Sequence, residues 1–163
     1  MRDRADYELA VIGGGSGGFG AALAAARRGV RVLLVEALPL LGGTSTLGGV
    51  NTWEPSVSGP GLHEELYDRL AAVPIHVGVS RTQHFWRREQ PWGLSRVDRA
   101  LPYRQSLRRS RRRPEQWARV TFEPAALAAA MALMLAETGR VDVRCGTRFV
   151  DLETDGRRVG TLT

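Results

Sequence analysis

The sequence predicts an α/β fold, with a parallel sheet, flanking helices and a C-terminal β-hairpin. Three observations support it. Two short apolar runs flank an alanine-rich helical segment within residues 7–36, a glycine-rich turn joins the first run to that segment, and a second helix and strand pattern returns near residue 122. Strands that are apolar throughout are typical of parallel sheets, whose strands need crossover helices.

The first unit of this fold reads as strand, helix and strand. Glu8 to Ile12 ends in Leu-Ala-Val-Ile, a pattern that predicts a buried strand, and Val30 to Val35 is a second apolar run rich in β-branched residues. Between them, Gly17 to Arg28 contains five alanines, which favour a helix and allow close packing on a sheet. Gly29 then ends the helix. The order predicts a parallel βαβ unit.

The turn of this unit carries a binding motif. Gly13, Gly15 and Gly18 fit G-x-G-x-x-G, in which the glycines permit a tight turn, a close phosphate approach and close helix packing. Ser16 within the turn is a further candidate ligand. Glu36 follows Gly18 by eighteen residues, where a carboxylate can accept hydrogen bonds from ribose and would repel a 2′-phosphate. The pattern predicts a Rossmann-like dinucleotide site and disfavours NADP.

A second glycine-rich loop follows Glu36. The segment LGGTSTLGG contains Gly42, Gly43 and Thr44, and its backbone N–H groups and the hydroxyls of Thr44, Ser45 and Thr46 are suited to line a second face of a cofactor. A plain NAD-binding unit has no evident use for such a loop.

Three segments together resemble a known family: GGGSGGFGAALAAARRGVRVLLVE, LGGTSTLGG and the later FEPAALAAAMALMLAETGRVDVRCGTRFVDLETDGRRV. They are similar to the N-terminal part of FAD-dependent oxidoreductases of the glutathione-reductase-like superfamily. The resemblance implies FAD as cofactor, with Gly13, Gly15 and Gly18 at its pyrophosphate and Glu36 at its ribose. It also places Gly42, Gly43 and Thr44 along the phosphates and ribityl chain, and the strand backbone of Thr147, Arg148 and Phe149 at the adenine.

The pattern divides the chain into three parts. Residues 1–58 are the βαβ unit with its glycine loop, and residues 59–119 are an irregular insertion. Residues 120–163 are a helix and a β-hairpin. In the insertion, Leu62 to Val73 predicts an amphipathic helix with Leu62, Leu66, Leu70 and Val73 on one face. After Pro74, the apolar residues follow no sustained helical or strand period.

Residues 81–119 hold twelve arginines against three acids, while the whole chain carries a net charge of +6. Arginines interleaved with Trp86, Trp92, Tyr103 and Trp117 are compatible with nucleic-acid binding. We favour a solvated insertion whose aromatic residues dock it to the cofactor domain, or a partly disordered loop. An arginine patch that steers an anionic substrate or the cofactor phosphates is a third possibility. Nucleic acid is therefore the less favoured partner.

The last segment predicts a helix from Phe122 to Glu137, with Leu127, Met131, Met134 and Leu135 on its apolar face. An alternating strand from Val141 to Leu152 follows, with Cys145 as a buried structural thiol. Asp155-Gly156 predicts a hairpin turn, with the return strand beginning at Arg157. A second strand that ends so soon leaves an open edge, so we expect an incomplete domain, completed by a missing C-terminal portion or a partner chain.

The remaining features of the sequence limit the possible functions. There is no apolar run of eighteen residues and no signal peptide, so we expect a soluble, cytoplasmic protein without membrane contact. His63, His76 and His84 follow no ligand spacing, so no metal is expected. No acid–base pair or nucleophile triad is evident, and the catalytic residues stay unassigned. A bound flavin explains this, because the flavin itself performs the redox chemistry. Asn51, Trp53 and His63 are candidates to approach its ring.

The leading hypothesis is the FAD-binding N-terminal portion of a flavin-dependent oxidoreductase, an enzyme family that transfers hydride or electrons from a small-molecule substrate to flavin. The alternatives are an NAD-binding domain, a basic nucleic-acid-binding module and an inactive fragment.

Overall fold

The computed structural model describes residues 6–53, 61–73, 76–82, 117–157 and 159–163. The chain forms two compact units, Met1–Gly48 together with Met131–Thr163, and Gly49–Ala130. The described residues contain three α-helices: α1 (Ser16–Ala26), α2 (Leu62–Ala71) and α3 (Pro124–Ala136). They also contain eight strands: β1 (Leu9–Ile12), β2 (Val32–Val35), β3 (Thr52–Trp53), β4 (Val77–Thr82), β5 (Trp117–Phe122), β6 (Val141–Arg144), β7 (Leu152–Thr154) and β8 (Val159–Leu162).

The first unit confirms the predicted parallel βαβ arrangement. Its sheet has the order β1-β2-β6, and both pairings are parallel, with Leu9 opposite Val32 and Val32 opposite Val141. The central strand β2 buries Val32 and Leu34 completely. Helix α1 buries one face, made of Phe19, Ala22, Leu23 and Ala26. Their spacing of three and four residues is that of a helix packed along one side.

Strand β1 differs from the fully buried strand that its apolar sequence predicts. Leu9 is 37% exposed and Ile12 is 48% exposed. The physical reason lies in the sheet order, since β1 pairs only with β2 within the described chain. An edge strand has neighbouring side chains on one side only, so an apolar sequence there does not ensure burial.

Helix α3 confirms the predicted apolar face. Leu127, Met131, Met134 and Leu135 are at most 2% exposed. The helix begins at Pro124 instead of Phe122, because Phe122 is the last residue of β5. The Glu123 carboxylate accepts a hydrogen bond from the Ala126 N–H at 2.8 Å, and this contact satisfies a donor of the first turn.

The second unit contains an antiparallel sheet that the sequence analysis missed. Its order is β3-β5-β4, with Thr52 opposite Thr121 and Val77 opposite Phe122. The predicted irregular region after Pro74 thus holds one whole strand, β4, and the start of β5. The division of the chain at residues 58 and 119 stays a prediction. Residues 83–116, with ten of the twelve arginines of residues 81–119 and with Trp86, Trp92 and Tyr103, lie outside the described residues.

Helix α2 confirms the predicted amphipathic helix in part. Leu66, Tyr67 and Leu70 are buried, whereas Val73 is 42% exposed. The helix ends at Ala71, so Val73 lies beyond the regular turns and no longer follows the helical face.

The C-terminal hairpin is confirmed, but the strand predicted from Val141 to Leu152 is wrong. Strand β6 ends at Arg144, and β7 and β8 form a separate antiparallel pair. Gly146 has a φ of +66°, a left-handed conformation that interrupts an extended strand. Cys145, next to this turn, is exposed instead of buried. The return strand begins at Val159, two residues after Arg157.

In the described parts of the chain, no helix is both long and apolar enough to cross a membrane.

Candidate cofactor site

The glycine turn joins β1 to α1 with the geometry that a dinucleotide site needs. Gly13 has a φ of +100°, which favours glycine, and its N–H donates to the Val35 carbonyl oxygen at 2.7 Å. Gly15 is the N-cap of α1, and its carbonyl oxygen accepts the Phe19 N–H at 2.8 Å. The first N–H groups of a helix have no intrahelical partner and lie at the positive end of its dipole, so this position favours an anion.

Gly15 and Gly18 lack side chains for different reasons. A Cβ placed on Gly15 would have no heavy atom within 4 Å, so the space beside this residue is open. A Cβ on Gly18 would overlap the Gly13 carbonyl oxygen and lie 3.3 Å from Cγ1 of Val11. Gly18 therefore permits the close packing of α1 on the turn, and Gly15 leaves room for a ligand. Ser16, beside Gly15, is exposed.

Glu36 lies buried at the end of β2, with 7% of its surface exposed. Its Oε2 accepts the Gly14 N–H at 2.6 Å, and its Oε1 accepts the Leu38 N–H at 2.7 Å. The carboxylate thus links the strand end to the glycine turn. Gly14 is the residue that sequence reasoning missed here, since it is a variable position of the motif. A Cβ on Gly14 would lie 2.5 Å from Cδ2 of Leu41, so the space around it is closed.

The second glycine loop lies directly against the glycine turn. The Gly42 N–H donates to the Gly14 carbonyl oxygen at 2.8 Å, and Gly15 and Gly42 form a parallel bridge. Gly42 and Gly43 have φ values of +102° and +53°, and a 3₁₀ turn covers Gly43–Ser45. Two glycine segments that are separate in the sequence are therefore brought together, and the exposed Thr44 follows them.

Thr46 differs from the expectation that the loop hydroxyls line a cofactor. It is only 6% exposed, and its Oγ1 donates to the Leu41 carbonyl oxygen at 2.8 Å. The Thr46 hydroxyl is thus hydrogen-bonded to the backbone inside the loop.

The segment predicted to contact adenine lies beside Glu36, although it is not a strand. The Thr147 N–H donates to the Glu36 carbonyl oxygen at 3.0 Å, and the Gly146 N–H donates to the Leu38 carbonyl oxygen at 2.9 Å. Residues 147–150 have no regular secondary structure, and Phe149 is half-buried. Partial burial, together with the charge of Glu36, raises the pKa of the exposed Cys145 thiol.

The three residues considered for the flavin ring belong to the second unit. The Asn51 side-chain amide donates to the Phe122 carbonyl oxygen at 3.3 Å. Trp53 packs against Phe122, with ring centroids 4.6 Å apart, and meets the ring of His63 edge-on at 5.4 Å. Partial burial lowers the pKa of His63. Their approach to flavin stays a prediction.

Among the residues whose structure is described, no group of three His, Cys, Asp or Glu side chains is placed to hold a metal ion. His84 lies outside those residues.

The parallel βαβ unit, the glycine turn at the start of α1 and the acidic residue at the end of β2 define a dinucleotide-binding unit of the Rossmann type. Residues 8–163 match the family described as FAD dependent oxidoreductase. The chain belongs to this family, and FAD is its cofactor. This confirms FAD as the predicted cofactor. Its placement in the glutathione-reductase-like superfamily stays a prediction.

Two curated relatives and two solved structures illustrate the similarity. The chain is 42% identical over 50 residues to 3-oxosteroid 1-dehydrogenase of Comamonas testosteroni, and 44% identical over 50 residues to 4-oxocyclohexanecarboxylate 2-dehydrogenase of Sinomonas cyclohexanicum. Each match covers 31% of this chain and 9% of the relative.

The fold is similar to that of a myxobacterial FAD-dependent chondrochloren halogenase, with a TM-score of 0.53 and 24% identity over 96% of this chain and 32% of that one. It is also similar to that of glycerol-3-phosphate dehydrogenase from Bacillus halodurans complexed with FAD, with a TM-score of 0.54 and 17% identity over 98% of this chain and 30% of that one. This chain therefore spans about a third of these structures.

Proposed function

We propose that this chain forms the FAD-binding N-terminal portion of an enzyme that oxidises a small organic substrate. The observation that supports it most is the meeting of the glycine turn and the glycine loop at the start of α1, beside the buried Glu36. Both curated relatives are dehydrogenases by name, which supports the direction of transfer from substrate to cofactor.

In this proposal, the first unit binds and orients the cofactor. The pyrophosphate lies against the open side of Gly15, at the positive end of the α1 dipole. Glu36 accepts a hydrogen bond from the ribose. Its two oxygens already accept the N–H groups of Gly14 and Leu38, but a carboxylate has about four lone-pair sites and can accept a further hydroxyl. These backbone contacts hold the carboxylate in place before the cofactor binds.

Gly42, Gly43 and Thr44 line a second side of the same cofactor in this proposal. Gly43 lies close to the turn, since a Cβ placed on it would be 3.3 Å from the α-carbon of Gly15. Ser16 and Thr44 are both exposed and can offer hydroxyl groups to phosphate oxygens. Phe149 is assigned to the adenine end because its segment is hydrogen-bonded to the backbone of Glu36 and Leu38.

When bound, FAD would supply the redox chemistry, because its ring can take up a hydride from a C–H bond of the substrate while a proton from another substrate position leaves to a base or to water. The groups that bind the substrate are proposed to come from a further portion of the protein or from a partner chain. The 30% and 32% coverage of the two solved structures supports this assignment. The expected cytoplasmic location and the less favoured nucleic-acid partner stay predictions.

The test is a competition titration of the 163-residue chain. Binding of FAD is followed by the change in flavin fluorescence, and NAD and a single-stranded oligonucleotide are then added as competitors. We expect FAD to bind, NAD to displace it only in large excess and the oligonucleotide to leave it bound. Displacement of FAD by equimolar NAD would contradict the proposal.

A further inference from the structure

We propose that Thr46 is a positioning residue for FAD, and that its buried hydroxyl fixes the peptide through which the glycine loop contacts the glycine turn. The proposal deepens the proposed function and rests on it. Thr46 itself is not expected to touch the cofactor, since it is 6% exposed and its hydroxyl is directed at the backbone.

The first contact is a hydrogen bond from Oγ1 of Thr46 to the Leu41 carbonyl oxygen, at 2.8 Å. The Gly43 carbonyl oxygen lies farther from Oγ1, at 3.3 Å. A hydroxyl has only one hydrogen, so the shorter contact is the principal one. Leu41 is itself only 3% exposed, and its carbonyl oxygen would lose this partner if the hydroxyl were removed.

The second contact lies on the other side of the same peptide group. The carbonyl of Leu41 and the N–H of Gly42 belong to one planar peptide, so the orientation of one sets the orientation of the other. The Gly42 N–H donates to the Gly14 carbonyl oxygen at 2.8 Å. Thr46 and Gly14 therefore hold this peptide from opposite sides, and the peptide links the loop directly to the turn.

The side chain of Thr46 also explains why position 42 is a glycine. A Cβ on Gly42 would overlap the Thr46 methyl group and lie 2.9 Å from Oγ1. The φ of +102° at Gly42 is a conformation that other residues rarely adopt. Thr46 thus packs on the α-carbon of Gly42 and restricts the peptide by contact as well as by hydrogen bonding.

Thr46→Val tests the hydroxyl while nearly preserving the shape of the side chain. We expect the Gly42 amide to exchange with solvent about tenfold faster, because its peptide can tilt away from Gly14. We expect the dissociation constant of FAD to rise about tenfold, which corresponds to 1.4 kcal/mol. Thr46→Ser keeps the hydroxyl, and both quantities should return to within threefold of the wild type.

Thr138→Val is the matched control. The Thr138 hydroxyl also donates to a backbone carbonyl oxygen, that of Leu135 at 2.7 Å, but Thr138 lies two residues beyond the end of α3. It should lower the thermal midpoint without changing Gly42 exchange or FAD affinity.

Amide exchange is measured by NMR on the chain without FAD, and affinity is measured by fluorescence titration. The proposal would be overturned if Thr46→Val and Thr138→Val changed Gly42 exchange and FAD affinity equally. It would also be overturned if Gly42 exchange were unchanged in Thr46→Val. If the wild-type chain binds no FAD, the proposed function fails and the positioning role for FAD fails with it, while Gly42 exchange still shows whether Thr46 holds the peptide.

Discussion

Replacing Gly15 by alanine should separate cofactor binding from folding. The added Cβ would meet no heavy atom within 4 Å, and the φ of −66° at Gly15 is one that alanine readily adopts. Alanine is a poorer N-cap than glycine, at a cost of up to about 1 kcal/mol. It also restricts the unfolded chain, which stabilises the fold by about 0.4–1 kcal/mol. These effects nearly cancel, so the thermal midpoint should stay within about 2–4 °C of the wild type.

The same methyl group would occupy the space that we assign to the pyrophosphate. An extra methyl group in a closely packed interface costs about 1–3 kcal/mol, which corresponds to roughly 5- to 150-fold weaker FAD binding. Calorimetry of the free chain and a fluorescence titration with FAD measure the two effects. Gly160→Ala in β8 is the control, because its Cβ would make only an ordinary contact, 3.7 Å from the Glu153 carbonyl oxygen. Wild-type FAD affinity in Gly15→Ala would show that the pyrophosphate does not lie against Gly15.

Gly18, His63 and Cys145 each provide a separate test. Gly18→Ala should lower the thermal midpoint, with overpacking costing at least about 1–3 kcal/mol, because its Cβ would overlap the Gly13 carbonyl oxygen; an unchanged midpoint in a thermal melt would contradict this. His63 has a lowered pKa when folded, so the unfolded state binds its proton first as the pH falls, and stability to urea should decrease below about pH 6.5. His63→Asn should show a smaller decrease, and an identical pH dependence would contradict the assignment. Cys145 is exposed and should react with a thiol reagent in the native chain, but more slowly than a free thiol because its pKa is raised. Reaction only after unfolding would show that the thiol is buried.

The β1, α1 and β2 part of the first unit could largely be predicted from sequence because its determinants are local. The glycine spacing, the alanine-rich helix and the acidic residue after β2 lie within one short segment, and each has a direct structural reason. Gly18 packs against Gly13 as the motif requires. The contact of Gly42 with Gly14 was harder to predict from the sequence, since it depends on how the loop returns to the turn after β2.

The sequence-based predictions are wrong where contacts between distant parts of the chain determine the structure. The exposure of Leu9 and Ile12 follows from the edge position of β1, which an apolar run does not reveal. Strands β4 and β5 pair across a long stretch of chain, and their sequences show no clear alternation. Cys145 follows an alternating pattern, yet the turn at Gly146 removes it from the strand. The inward position of the Thr46 hydroxyl likewise depends on the fold of the loop, since exposed Thr44 lies only two residues away.

The visible absorption spectrum of the chain after incubation with FAD and gel filtration shows whether the chain holds the cofactor. We expect the yellow flavin absorbance to elute with the protein, and Gly15→Ala to retain much less of it while eluting at the same volume. A folded wild-type chain that elutes without flavin would contradict the claim that the glycine turn, the glycine loop and Glu36 form an FAD site.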